Sequence, residues 1–323
     1  MRRLVVSAFL ILAVTASDVR AQDYPTKPIT IVVPTSPGGP PDTLARLLSE
    51  RMRAVLGQPI VIENVTGAGG TAGVTRAARA APDGYTLSIG HFNSHVISSI
   101  SYNVPYDPLK DLEPVAMLVS APMLFIARQD IPAANLRELV AWLKANPNKA
   151  TFGSVGVGGP ARLWGSQFQQ ANGAPFQFVP YRGAVLIVQD MLAGHIDLGC
   201  MEASNIVPHL RGGKIRVHAV LTKDRWKVAP EIPTIAETGV AGLEMTFWHG
   251  MWVPKGTPRD AVTKLNRAVV AALNDPAVRR RLGELGQDVV PASQLTPEAL
   301  GAHHKAEIDK WSPLVKAAGI KAQ

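Results

Sequence analysis

Short runs rich in Ile, Val and Thr repeatedly give way, along this chain, to segments whose apolar residues recur every three or four positions. That alternation constrains the fold more than any other feature, because parallel strands must be joined by long crossovers that are usually helices. Ile29 to Val33 reads as a first strand, and Leu44, Leu47, Leu48, Met52 and Val55 follow at helical spacing, so a helix is predicted to begin near Asp42. Further strands are expected at 59–64 and 85–90, with an Ala- and Arg-rich helix ending near Ala80 between them. A second series runs through strands at 123–127, 150–154, near Phe178, 196–200 and 216–221, with helices at 135–145, 162–171 and 184–193. Two such series predict an α/β protein of two lobes.

The segment LEMTFWHGMWVPKG at 243–256 is aromatic and lacks helical period, so it reads as an extended strand crossing between lobes, paired with 115–127. Helices at 260–273 and 297–318 close the chain, the latter expected to carry His303 and His304 on a solvated face.

The first residues, MRRLVVSAFLILAVTASDVRA, place Arg2 and Arg3 ahead of a short apolar core and small residues, which is the order of a secretory signal peptide over 1–21. The single cysteine, Cys200, has no internal partner, so an exported chain must rely on its core, and Cys200 is expected inside a strand. No cysteine follows the cleavage site, so a lipid anchor is not expected. Lys and Arg number 33 against 25 Asp and Glu, or 30 against 24 without Arg2, Arg3, Arg20 and Asp18. This modest positive excess suits small anions. The basic residues are scattered apart from Arg279, Arg280 and Arg281, which argues against nucleic acid.

Four strand-to-helix turns are rich in Gly, Ser or Thr: TSPGGPPD at 35–42, TGAGGT at 66–71, GHFNSH at 90–95 and GSVGVGGPA at 153–161. Ligands of parallel α/β sheets sit at the carboxyl ends of strands, where helix N-termini offer free N–H groups, so these turns form the candidate site. Several motifs fail there. GVGGPA at 156–161 fits a dinucleotide pattern, yet FQFVPYRGA downstream lacks the required acid and Pro160 removes an amide donor. No Gly-Lys-Ser/Thr loop and no Gly-x-Ser-x-Gly elbow is present. His91 and His95 have no acidic or third partner for a metal. No cofactor is expected.

The stretches YPTKPITIVVPTSPGGPPDTLARLLSERM, GQPIVIENVTGAGGTAG, APDGYTL, VPYDPLKDLEPVA, VPYRG, HLRGGKIRVHAV and EIPTIAETG, in this order, resemble the Bug family, the periplasmic solute receptors of tripartite tricarboxylate transporters. The resemblance runs from Tyr24 to Ile320. It implies a two-lobed type II periplasmic-binding-protein fold with a hinge of crossing strands, in which 22–122 plus 249–323 form lobe 1 and 123–248 form lobe 2. It also implies that a solute carboxylate rests on the first turn, here Thr35, Ser36, Pro37, Gly38 and Gly39, with Asp42 capping the following helix. His95 matches the end of a polar family turn in which Phe92 and His91 replace small residues, with Asn93 between. Gly158, Gly159 and Arg162 stand where the family has a Gly-Asn-Gly turn and hydroxyl donors, and Arg162 offers a guanidinium for a second carboxylate. Asp197 matches an Asp at a strand end, and Glu202 stands where many members carry Asn or Asp. Phe92, Trp164, Trp248 and His249 are candidates to line the cleft, stacking on a flat solute.

The resulting expectation is a monomeric periplasmic receptor, not an enzyme, that takes a small mono- or dicarboxylate, aliphatic or aromatic, and delivers it to membrane transporter subunits. The alternatives are an exported enzyme using Asp197, Glu202 or His249 as acid or base, and a sensor that reports to a membrane signalling protein.

Overall fold

The computed structural model describes residues 24–240, 242–317 and 319, so the expected signal peptide lies outside the described residues. Strand β1 (Ile29–Val33) is flanked by parallel β2 (Ile60–Asn64) and β3 (Thr86–His91). Helix α1 (Pro40–Leu56) crosses from β1 to β2 and buries Leu44, Ala45, Leu48 and Met52 in one stripe. It starts two residues earlier than its apolar period indicates, because Pro40 and Pro41 fill the first-turn positions where a helix needs no N–H. Helix α2 (Thr71–Ala78) returns the chain to β3. A π-turn over Asn93–Ile97 runs into the short helix α3 (Ser98–Ser101).

Strand β4 (Leu112–Arg128) is 17 residues long, about 55 Å of extended chain, and joins the two halves of the molecule. The second half follows as α4 (Leu136–Ala145), β5 (Thr151–Val155), α5 (Pro160–Asn172), β6 (Gln177–Tyr181), α6 (Ala184–Leu192), β7 (Leu198–Glu202), α7 (Ala203–Ile206) and β8 (Ile215–Val220). Asn135 caps α4 by accepting from the Glu138 amide, while Glu138 reaches back to the Ala134 amide and the Asn135 side chain. Strand β9 (Thr246–Pro254) then runs antiparallel to β4 from Leu112↔Pro254 to Pro122↔Thr246. Helices α8 (Arg259–Asn274), α9 (Pro276–Glu284) and α10 (Pro297–Ala317), with β10 (Asp288–Val289), complete the first half.

The main sheet order is β2-β1-β3-β9-β4-β7-β5-β6, with β8 and β10 also pairing with β4. Its outer ends are parallel, as the crossover helices require, whereas β9 and β4 meet each other and β3 and β7 antiparallel. The sheet is therefore mixed. Residues of both halves contribute to one large core, with Leu44 and Leu87 from the first and Phe125, Phe152 and Phe168 from the second. A smaller apolar cluster of Ile126, Ile187, Met191, Met201 and Trp226 packs β4 and β7 against α6. No helix among the described residues is long and apolar enough to cross a membrane.

Candidate functional site

A cavity of about 80 Å³ lies where the carboxyl ends of β1, β3, β5, β6 and β7 meet. A single water needs roughly 10–15 Å³ of space, so the cavity has room for a small solute. All four glycine-rich turns contribute to its wall: Thr35, Ser36 and Gly39; Gly69 and Gly70; His91 and Asn93; Val155, Pro160 and Ala161.

The first turn is locked from beneath. Asp42, 2% exposed, sits at the third helical position and accepts from the Gly38 amide at 2.9 Å, from Arg46 through both oxygens at 3.0 Å, and from Asn64 at 3.0 Å. Asn64 also holds the Thr35 carbonyl at 3.1 Å. Burial works to raise the Asp42 carboxyl, but the Arg46, Gly38 and Asn64 bonds outweigh it and hold it below the usual range. Asp42 is therefore not the cap residue; Gly39 is, without a side-chain bond. The amides of Gly38 and Gly39 are used inside the turn, by Asp42 and by the Ser36 carbonyl at 3.2 Å. Pro37 and Gly38 are exposed and do not line the cavity. The turn places Thr35 and Ser36 on the cavity wall, and the Thr35 Oγ1 is itself buried without a partner among the described residues.

The opposite wall is the start of α6. Arg182, Gly183, Ala184 and Val185 line the cavity, and no acidic side chain or side-chain cap occupies this helix start. Unlike α1 and α5, α6 has no proline in its first turn, so its N–H groups remain available to an anion. Among the described residues no carboxylate pairs with the exposed Arg182. Sequence reasoning passed over this residue, although VPYRG at the end of β6 carries the signal: an Arg-Gly pair before an uncapped helix.

Several predicted residues lie elsewhere. Phe92 is 1% exposed and packs against Phe247 and Trp311 at 5.7 and 5.3 Å between centroids, in the core. His95 is fully buried, stacked on Trp252 at 3.9 Å and bonded to Ser88 and Ser94. The Arg162 guanidinium lies 4.5 Å over the Phe178 ring rather than on the cavity. Asp197 precedes β7, at the end of the strand remote from the cavity, and ties the Arg128 side chain to the Thr151 amide and hydroxyl. Its role is to clamp strands. Gly158 offers its carbonyl to Ser101 Oγ at 3.2 Å, and Gly159 caps α5, where a Cβ would stand 2.1 Å from the Val155 carbonyl; neither lines the cavity. Trp164 and Trp248 are core residues bonded to the Leu243 carbonyl and to Glu307. Cys200 lies within β7, where burial pushes its thiol up. His304, expected in solvent, is 2% exposed and bonds the His95 carbonyl at 2.9 Å.

The cavity floor is made by Met123, Phe247, His91 and Glu202, with Asn205 beside them. His249 is wholly buried behind this floor and does not line it. No cluster of three metal-ligating side chains occurs among the described residues.

Two halves of a sheet joined by long strands, with glycine-rich turns of both around one cavity, define a solute-binding protein. The family model described as tripartite tricarboxylate transporter family receptor matches residues 44–320, and the chain belongs to that family. A UPF0065 protein from the TAR-I ttuE-ttuC' intergenic region of Agrobacterium vitis is 36% identical, over 97% of this chain and 92% of its own length. Among solved structures, the periplasmic binding protein BugD is 38% identical with a TM-score of 0.87, over 93% of this chain and all of its own. MatC from Rhodopseudomonas palustris, solved with bound malate, is 36% identical with a TM-score of 0.86, over 90% of this chain and 100% of that one. A further R. palustris protein, solved with adipate, is 33% identical with a TM-score of 0.87, over 93% and 99%.

Proposed function

We propose that this protein is a periplasmic receptor that captures a small aliphatic dicarboxylate in the cavity and passes it to the membrane subunits of a tripartite tricarboxylate transporter. The observation that carries this reading is Arg182, unpaired among the described residues, at the uncapped start of α6, on the wall of the same cavity as Thr35 and Ser36 of the first turn. A guanidinium, helix amides and hydroxyls converging on one small space are a carboxylate site. The cavity volume favours a short acid; Phe92, Trp164 and Trp248 lie in the core, and the rings on the cavity wall are those of His91 and Phe247. Structural neighbours carrying malate and adipate support the dicarboxylate class.

In this reading residues 22–122 with 249–323 form one lobe and 123–248 the other, and β4 with β9 is the hinge. A solute favours closure only as far as it binds the closed form better than the open one, and residues from both lobes on one cavity provide that difference. The test is a titration of the purified protein with mono-, di- and aromatic carboxylates, a neutral sugar and an amide, following the melting temperature. Saturable stabilisation by short dicarboxylates is expected. Stabilisation by the sugar or amide alone would discard the anion reading.

A further inference from the structure

Among the described residues the cavity wall carries one arginine and one carboxyl, and the two are not paired with each other. Glu202 ends β7 and is 4% exposed. Its Oε1 accepts from Gln287 Nε2 at 2.8 Å and from Ser204 Oγ at 3.0 Å. Its Oε2 faces His249 Nε2 at 3.5 Å, too poorly placed for a hydrogen bond, and both ring nitrogens of the fully buried His249 are without partners. His91, from β3, stands beside His249 with centroids 5.6 Å apart. Asn205 directs its side-chain amide at the Glu202 carbonyl at 3.4 Å.

None of the groups packed around this carboxyl supplies a positive charge. Burial holds His249 down to about 3 and His91 down to about 4, the latter aided by His249 and opposed by Glu202. The Cys200 thiol on the same strand stays protonated. Gln287, Ser204 and Asn205 are neutral, which leaves Arg182 as the one cationic side chain of the wall. Burial accordingly raises the Glu202 carboxyl, against the smaller effects of Gln287, His91 and Ser204. An ionised Glu202 would oppose any solute that brings a carboxylate to the floor, since two carboxylates sharing a dry site cannot both be ionised.

We propose that Glu202 is the specificity-determining residue of the cavity: it shares one proton with the second carboxylate of a dicarboxylate whose first carboxylate lies toward Arg182 and α6. The solute arrives as a dianion, one proton is taken from solvent into the O–H···O⁻ contact, and that proton returns to solvent on release. No bond to carbon forms or breaks. This inference rests on the dicarboxylate reading above.

Calorimetric titration of wild type and Glu202→Gln with malate, adipate and the monocarboxylate butyrate, between about pH 6 and 9, tests it. Wild-type affinity for a dicarboxylate should fall toward tenfold per pH unit over part of that range, with heats in different buffers reporting uptake approaching one proton. Butyrate should show no such slope, and the variant should bind dicarboxylates with less than about twofold change per unit. Dicarboxylate affinity independent of pH in wild type, or an undiminished slope in the folded variant, overturns the inference and leaves the receptor reading standing. Failure of every dicarboxylate to bind discards both. Should the variant not fold, the wild-type comparison decides, and equal slopes for butyrate and adipate overturn the proposal.

Discussion

Ser36 and Gly183 face each other across the cavity, so close that a Cβ at position 183 would stand 3.1 Å from Ser36 Oγ. Ser36 follows β1 and Gly183 precedes α6, so in the two-lobe reading proposed above the approach is made as the lobes close. The backbone at Gly183 is extended (φ −170, ψ 156), a conformation open to any residue. A side chain there should hinder closure without straining the fold. Gly183→Val is expected to melt within a few degrees of wild type while binding dicarboxylates at least about tenfold more weakly, about 1.4 kcal/mol. Calorimetric affinity beside a melting curve checks this, and unchanged affinity would remove the contact from the closure step.

Arg182 offers a second separation of binding from stability. It is exposed and unpaired among the described residues, so its truncation should leave the melting temperature nearly unchanged. A charge-assisted bond contributes about 1.5–3 kcal/mol, so Arg182→Gln should weaken dicarboxylate binding roughly 10- to 150-fold. Arg162→Gln is the control, because that guanidinium lies on Phe178 away from the cavity. Equal losses in the two variants would contradict the assignment of Arg182.

The elements with strong period were readable from the sequence, β1 residue for residue and α4 to within one position at its start. The β4–β9 crossing was also readable, since 243–256 is apolar yet has no helical repeat. Side-chain direction was not. Sequence places Phe92, Asn93 and His95 in one turn, but the π-turn sends only Asn93 to the cavity and drives the two rings into the core. Gly90 makes room for that placement: a Cβ there would stand 2.1 Å from the His95 ring. Asp197 reads as a strand-end acid and Glu202 as a position where many family members carry Asn or Asp; the two flank β7, and chain direction places Asp197 at the clamp and Glu202 at the cavity. His304 had a usable signal, because Leu300, His304, Trp311 and Val315 fall on one helical stripe.

Asp42 should govern the acid limit of the first turn. Its folded carboxyl lies below the ordinary 3.8, so its contribution is present above that value and is lost as pH falls through the lower folded one. Asp42→Asn keeps the shape but loses the charge-assisted bonds to Arg46, at a cost of about 1–3 kcal/mol, or roughly 2–8 °C of melting temperature at neutral pH. The two melting curves should converge below pH 3.8, where the wild-type carboxyl also takes up a proton. A constant gap down to the lowest pH would refute the linkage.

The buried imidazoles set a separate, higher window. His91, His218 and His304 are each held down to about 4, first by burial, against an ordinary value of 6.5. Above 6.5 both folded and unfolded chains hold them neutral, and stability is unaffected by their titration. As pH falls from 6.5 toward 4 the unfolded chain takes up protons that the folded one refuses, so stability declines, by up to about 3 kcal/mol per group. His304→Gln retains a donor for the His95 carbonyl and removes one titrating ring. The variant should therefore melt below wild type at pH 7 and lose less on acidification, so that the gap narrows toward pH 4. Melting temperature followed in half-unit steps checks this, and parallel curves would show that His304 takes no part in the acid response.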